Sequence, residues 1–281
     1  MNAELEFLET GEGARLALHH HEPGSGGPVV LILPAMGVPA AYYGPFVETL
    51  TERGFAVAVL DLRGQGKSTP RASRHGYLDL VGDVPVAVEA VRKRYPGRSL
   101  LLLGHSLGGQ IGALHLAAHE RHGVAGLVLV ASGTAHHRVF GRGRGAGLYL
   151  FGAFASLVVR LVGHWPGHRL GFGGRQPAML MREWSRLVRT GKFLPVGAGR
   201  DLEAALAEVD VPVLAFSVDA DFYAPPGAVD GLVAKLSRIA VDRRHYSAEA
   251  AGRPDLGHFR WTRAAGPLAG QIRTWTEALG H

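Results

Sequence analysis

LLLLGHSLGGQIGALHLA, residues 100–117, changes character halfway. It is an unbroken apolar run to Leu103, then places Ser106 between Gly104 and Gly108, and a helical pattern begins at Leu107. A run without polar alternation reads as a strand buried on both faces. A strand that passes into a helix through one residue must turn sharply, which strains the apex residue and requires small neighbours two positions away on each side. At such a junction Gly-x-Ser-x-Gly reads as a nucleophile elbow rather than as an ordinary helix-capping serine.

Five apolar runs recur along the chain: PVVLIL (28–33), FAVAVL (55–60), SLLLLG (99–104), VAGLVLVAS (124–132) and VPVLAFSV (211–218). The segments 41–54, 78–97 and 107–123 mix apolar and polar residues at helical spacing and end at glycine, as helix C-termini often do. Strand and helix alternate, which predicts a mostly parallel sheet flanked by helices. The rhythm breaks between Ser132 and Asp210, a gap too long for a plain loop. It holds GAGLYLFGAFASLVVRLVG (145–163), PAMLMREWSRLVRTGKF (177–193) and the glycine-rich joint GHRLGFGG. The expected organisation is a core of residues 1–134 and 206–281 with a helical lid inserted at 135–205. Arg160 interrupts the first apolar helix, whose uncharged part is shorter than the roughly 20 residues a span needs, so a buried or amphipathic helix is expected and no stable membrane span.

At 281 residues and 47% apolar content the chain suits one large globular unit. It has no cysteine, which excludes disulfides and thiolate metal sites. The first residues show no basic stretch followed by an apolar one, so a cytoplasmic protein is expected. The net charge of +6 is unevenly spread: residues 135–200 hold eleven Arg or Lys against Glu183 alone, so this segment carries +10 and the remainder −4. That excess suits an acidic substrate, an acidic acyl carrier, an anionic membrane surface or simply a solvated face. No nucleic-acid-binding motif accompanies it, so no such partner is expected. His115 and His119 stand four apart on a predicted helix but lack an intervening glutamate or a third ligand, so no metal site is expected.

A serine hydroxyl becomes a good nucleophile only beside a base, and the base needs a third group to hold its tautomer. Downstream of Ser106, SVDADFYAPP ends the last apolar run with Asp219 and Asp221, and RPDLGHFRW places His258 after Gly257 in a loop before a final helix. With nucleophile, acid and histidine in this order, the chain resembles the α/β-hydrolase fold serine hydrolases from PVVLILPAMG through DLRGQGKS (61–68), GHSLGG (104–109) and DFYAP (221–225) to GHF (257–259). The PAMGVP variant and the tryptophan- and arginine-rich insertion resemble a bacterial group of predicted α/β hydrolases with unassigned substrates. In that fold family the acid commonly precedes a proline by four residues, which implies Asp221 before Pro225, with Asp219 as its rival. The matching residues of DLRGQGKS are expected to be structural.

The resemblance implies hydrolysis of a carboxylic ester or thioester through Ser106, His258 and Asp221 with no cofactor. The oxyanion donors would be the Leu107 amide and one from PAMG, where Met36 aligns with the family's donor and Gly37 and Val38 are the neighbouring alternatives. Tyr42, Tyr43, Trp165, Phe172, Met179, Met181 and Trp184 are candidates to line an apolar acyl pocket or to pack the lid. The same triad would serve an acyltransferase or cyclase, and a third reading is a non-catalytic ligand-binding protein on the hydrolase fold.

Overall fold

The computed structural model describes residues 3–11, 13–22, 26–70, 74–120 and 123–281. Each apolar run forms a strand: β3 (Val29–Leu33), β4 (Ala56–Asp61), β5 (Leu100–His105), β6 (Gly126–Val130) and β9 (Val213–Val218), all buried along their whole length. Their side chains feed two cores alternately. Leu31, Leu33, Leu100 and Leu102 join one cluster, and Val30, Ile32, Leu101 and Leu103 join the other. Apolar residues facing both sides are therefore needed along these strands, because both faces of the sheet are covered by helices, and the buried polar exceptions Asp61, His105 and Ser217 fall at or next to the carboxyl ends.

Three strands of the sheet stand outside the continuous apolar runs. β1 (Glu4–Glu9) and β2 (Arg15–His21) form an antiparallel hairpin at one edge. Charged residues interrupt the ELEFLE of β1, and Leu8 is its one buried position, as suits an exposed edge strand. At the other edge β10 (Asp242–Tyr246) pairs parallel with β9. Among the described residues the sheet has eight strands in the order β1-β2-β4-β3-β5-β6-β9-β10. It is parallel from β4 to β10, and β2 runs antiparallel to β4.

From β3 the chain passes through helix α1 (Gly44–Glu52) to β4 on one side, whereas from β5 it passes through α3 (Leu107–Ala118) to β6 on the other. The carboxyl ends of β3 and β5 thus flank a switch in direction, the place where an open α/β sheet leaves a crevice for ligands. Helix α2 (Tyr77–Arg94) makes the crossover between the two halves. The helix α3 ends at Ala118, and Arg121 and His122 of the expected 107–123 segment lie outside the described residues.

Between β6 and β9 the insertion carries α4 (Arg142–Val162), a two-stranded ribbon of β7 (His164–Pro166) and β8 (Arg175–Pro177), and, after the short turn α5 (Gly167–Leu170) within that ribbon, helix α6 (Ala178–Thr190). The ribbon falls within the stretch where no strand is evident from the sequence; three residues per strand is too short for a periodic signal. The insertion is fused to the sheet: Trp165, Leu180, Met181 and Leu187 belong to the same apolar cluster as Leu33 and Ile111.

One buried group gives the fold a pH dependence. Burial, with the Arg63 guanidinium adding to it, lowers His75 to about 4. This folded value lies below the ~6.5 of a free imidazole, so between the two the unfolded chain binds more protons. The stability contributed by the neutral ring is complete above the unfolded value and is lost as pH falls toward 4. We expect wild type to lose about 2 kcal/mol more unfolding free energy than His75→Gln between pH 7.5 and 5.0. Equal losses for the two in urea titrations would show that His75 does not set this slope.

Candidate active site

Ser106 caps α3 at φ 54°, ψ −116°, a conformation that L-residues rarely adopt. The turn is pinned from below: Ser106 N donates to Val130 O at 3.2 Å, and the Ser132 hydroxyl donates to Ser106 O at 2.6 Å. Leu107 contributes the first amide of α3, which by helix geometry has no intrahelical acceptor and points out at the positive end of the helix.

His258 lies in the short helical turn Gly257–Arg260 and meets the loop after β9. Its Nδ1 bonds Asp221 Oδ2 at 2.8 Å, with both side chains almost fully buried. The other oxygen, Asp221 Oδ1, accepts from the Tyr223 and Ala224 amides at 2.8 Å each. The carboxylate is thereby fixed in place, and its hydrogen bond orients the imidazole. Asp219 points elsewhere: its oxygens take His245 Nε2 at 3.1 Å and the Ala248 amide at 2.8 Å. Ser106 and His258 line the same cavity, with no hydrogen bond between the serine hydroxyl and the ring. Such contacts often tighten only when substrate arrives.

The turn after β3 identifies its free amide by elimination. Ala35 N donates to the Tyr43 hydroxyl at 2.9 Å, Gly37 N to Gln65 Oε1 at 2.9 Å, and Val38 N to Ala35 O at 3.1 Å. Among the described residues Met36 N is the amide of this turn left without an acceptor, and Met36 lines the cavity beside Leu107. Gly37 holds φ +76°, and a Cβ there would come within 2.4 Å of Gly173 O in the ribbon loop of the insertion. The DLRGQGKS loop buttresses the same turn. Besides Gln65, Asp61 Oδ1 accepts from Ala40 N at 2.7 Å, and Arg63 forms a buried bidentate pair with Asp83.

His105, between Gly104 and Ser106, links the two halves of the site. Its Nε2 lies 2.9 Å from the His258 carbonyl, which can only accept, so this nitrogen carries the proton. Nδ1 then accepts from the Tyr43 hydroxyl at 2.8 Å, and that oxygen accepts from Ala35 N. Burial, with the neighbouring His258 second, holds His105 well below the ordinary imidazole range, which keeps this neutral arrangement.

The cavity has a volume of about 480 Å³ and a mostly apolar lining. Trp184 and Phe172 line it. The other five candidates do not. Tyr43 is fully buried behind the β3 turn, holding Ala35 and His105. Tyr42 donates to Phe259 O at 2.9 Å. Trp165 and Met181 are fully buried in the packing of the insertion, where the Trp165 indole donates to Phe172 O at 2.8 Å. Met179 packs near Gly76 instead. The lining residues missing from the sequence reading include Leu148 and Phe151 on α4, and Tyr223 and Phe259, each one or two positions from the acid or the histidine. The α4 pair had a findable signal, since Leu148, Phe151, Ala155 and Val159 recur at helical spacing. Arg144 is the one cation among the lining residues, and it stands 4.4 Å from the centre of the Phe222 ring. The rest of the basic excess lies away from the cavity lining.

The comparisons with known proteins agree with this architecture. The family model described as "Serine aminopeptidase, S33" matches residues 27–248. The RutD protein of Variovorax paradoxus (strain S110) is 37% identical over 118 residues, 41% of this chain and 42% of that one. Monoglyceride lipase of Homo sapiens is 31% identical over 131 residues, 46% of this chain and 43% of its own. The matches thus span less than half the length of either relative. In structure, a soluble variant of monoglyceride lipase from Saccharomyces cerevisiae superposes with a TM-score of 0.71 at 15% identity, covering 99% of this chain and 96% of that one, a likeness of fold. With its family model matched over well more than half its length, on this sheet and with this elbow, the chain belongs to the serine aminopeptidase S33 family of α/β hydrolases.

Proposed function

We propose that this hydrolase cleaves a carboxylic ester or thioester with a hydrophobic acyl group through an acyl-enzyme on Ser106. The observation that carries the reading is the buried His258–Asp221 pair, 2.8 Å apart, closing on the cavity floor that also holds Ser106. In the first step Ser106 Oγ bonds to the substrate carbonyl carbon and its proton passes to His258 Nε2. The Asp221 carboxylate accepts a hydrogen bond from Nδ1–H and, staying ionised, stabilises the imidazolium. The new oxyanion sits between the Met36 and Leu107 amides, donors of a kind each commonly worth about 10² to 10³ in rate. The intermediate collapses, the carbon–oxygen or carbon–sulfur bond breaks, and His258 gives its proton to the leaving group. Water, deprotonated by His258, then adds to the acyl carbon; the bond to Ser106 breaks and the proton returns to the serine. The apolar lining of Leu148, Phe151, Phe172 and Trp184 supports an uncharged acyl chain as the bound part.

Incubation with a fluorophosphonate, read by intact mass, tests this. Wild type is expected to gain one adduct, Ser106→Ala none, and His258→Ala to label far more slowly. An adduct of equal yield on Ser106→Ala, or no adduct on folded wild type, would sink the proposal.

A further inference from the structure

The serine-hydrolase reading leaves two features of the insertion without a role. The first is the outer face of α4. Leu150, Phe154, Leu157 and Leu161 recur at spacings of four, three and four, and are 66%, 49%, 54% and 76% exposed. They lie opposite Ala155 and Val159, which are buried among the insertion's packed residues. By length and composition α4 would suffice to cross a membrane. Its inner face, however, lines the cavity through Leu148 and Phe151, so leaving the fold would strip the site of a wall.

The second feature is a cleft lined by Ser156, Arg160, Arg182, Arg186 and Arg189, from α4 and α6. Among the described residues none of these four arginines pairs with a carboxylate. Arg189 Nε reaches Ser185 O at 3.3 Å and Arg186 Nη1 reaches Leu194 O at 3.4 Å, both weak contacts to neutral carbonyls. Glu183, the only acid of residues 135–200, is buried and turned away, its oxygens taken by the Tyr77 and Val196 amides. Glu183 acts on Arg186 only through space, so four guanidiniums gathered with no carboxylate in contact repel one another, and the arrangement is relieved by an external anion.

We propose that the insertion docks on the surface of an anionic phospholipid bilayer, with the α4 stripe seated in the outer acyl region and the arginine cleft holding headgroup phosphates. Arg160 belongs to both features: it lies on α4 beside the stripe and opens into the cleft. A helix with one apolar face and arginines along its flank suits an interfacial position, buried roughly 5–10 Å at the headgroup boundary. Charge argues against a second copy as the occupant, since self-association through this face would press one +10 segment against another. A bilayer supplies apolar chains and phosphates side by side. The inference is independent of the chemistry at Ser106.

Co-sedimentation of the full chain with vesicles of phosphatidylcholine alone, or with about a third phosphatidylglycerol, tests it. Wild type is expected to bind the anionic vesicles much more strongly than the neutral ones, and to release in high salt. Each cation near such a surface is worth roughly five-fold in affinity, so the triple variant Arg182→Gln, Arg186→Gln, Arg189→Gln should weaken binding about 100-fold. Leu157→Asp with Leu161→Asp should weaken it about ten-fold or more even though all the arginines remain. Because these leucines are exposed, the variants should melt with wild type. Ser106→Ala should bind vesicles as wild type does, so a failed hydrolase reading and a failed docking reading are told apart. Equal sedimentation with neutral and anionic vesicles, or unchanged binding by the leucine pair, would overturn the proposal. So would a concentration-dependent dimer in light scattering that the leucine variant abolishes, since it would make a second copy the occupant.

Discussion

Asp221→Asn should lower kcat for a p-nitrophenyl acyl ester by about 10⁴-fold while leaving KM nearly unchanged. Asparagine fills the same space and keeps one oxygen for the Tyr223 and Ala224 amides, which now bond Asp221 Oδ1 at 2.8 Å. Its amide group, turned toward His258, would donate where the carboxylate accepts. His258 Nδ1 would then become the acceptor and Nε2 would carry the proton, so the ring presents no lone pair to Ser106. Asp219→Asn, two residues earlier, should stay within about two-fold of wild type, because its contacts are with His245 and the Ala248 amide. Comparable losses in both variants would mean that the hydrogen bond to His258 does not identify the acid.

The second large effect is expected at the elbow. A Cβ on Gly108 would lie 1.9 Å from Leu33 O and 2.4 Å from Leu33 C, and one on Gly104 would lie 2.2 Å from Gly109 Cα. These are backbone atoms at the crossing of β3, β5 and α3, and cannot swing aside as the end of a side chain can. Gly108→Ala should therefore cost about 3 kcal/mol or more, and lower Tm by roughly 6 °C or more. Gly112→Ala, one turn further along α3, is the control. Its Cβ would meet Leu127 Cδ1 at 3.2 Å, a movable methyl, and alanine gains helix propensity of about 1 kcal/mol, so little net change is expected. A Gly108→Ala protein that melts with wild type would show that the elbow does not need that glycine for space.

These two experiments probe opposite ends of what the residues reveal by themselves. The elbow is readable because its constraint is local: a buried strand, a strained residue and a helix start fall within a few positions of Ser106. The five central strands are readable for a similar reason, since strands covered on both faces are mostly apolar, whereas the parallel edge strand β10, DRRHY, carries no such run. The hairpin β1–β2 is harder to see, because ELEFLE owes its state to an edge position and not to a continuous run. The helix α4 is legible as a helix, but not which large side chains of the insertion reach the cavity: Trp165 on β7 and Met181 on α6 go to the packing of the insertion, while Leu148 and Phe151 on α4 line the cavity.

Local pattern is enough for the fold class and for the strand–turn–helix at Ser106, because both rest on hydrophobic periodicity or on neighbours a few residues apart, and the order of Ser106, the two aspartates and His258 is read directly along the chain. Packing of distant segments, by contrast, brings His258 to Asp221 and not to Asp219, and leaves the Met36 amide without an acceptor while Gly37 donates to Gln65. It also decides which aromatic side chains face the cavity. The reason is distance along the chain: His258 lies 37 residues beyond Asp221 and Gln65 lies 28 beyond Gly37, so each pairing is made by strands and loops packing together and has no local pattern to announce it.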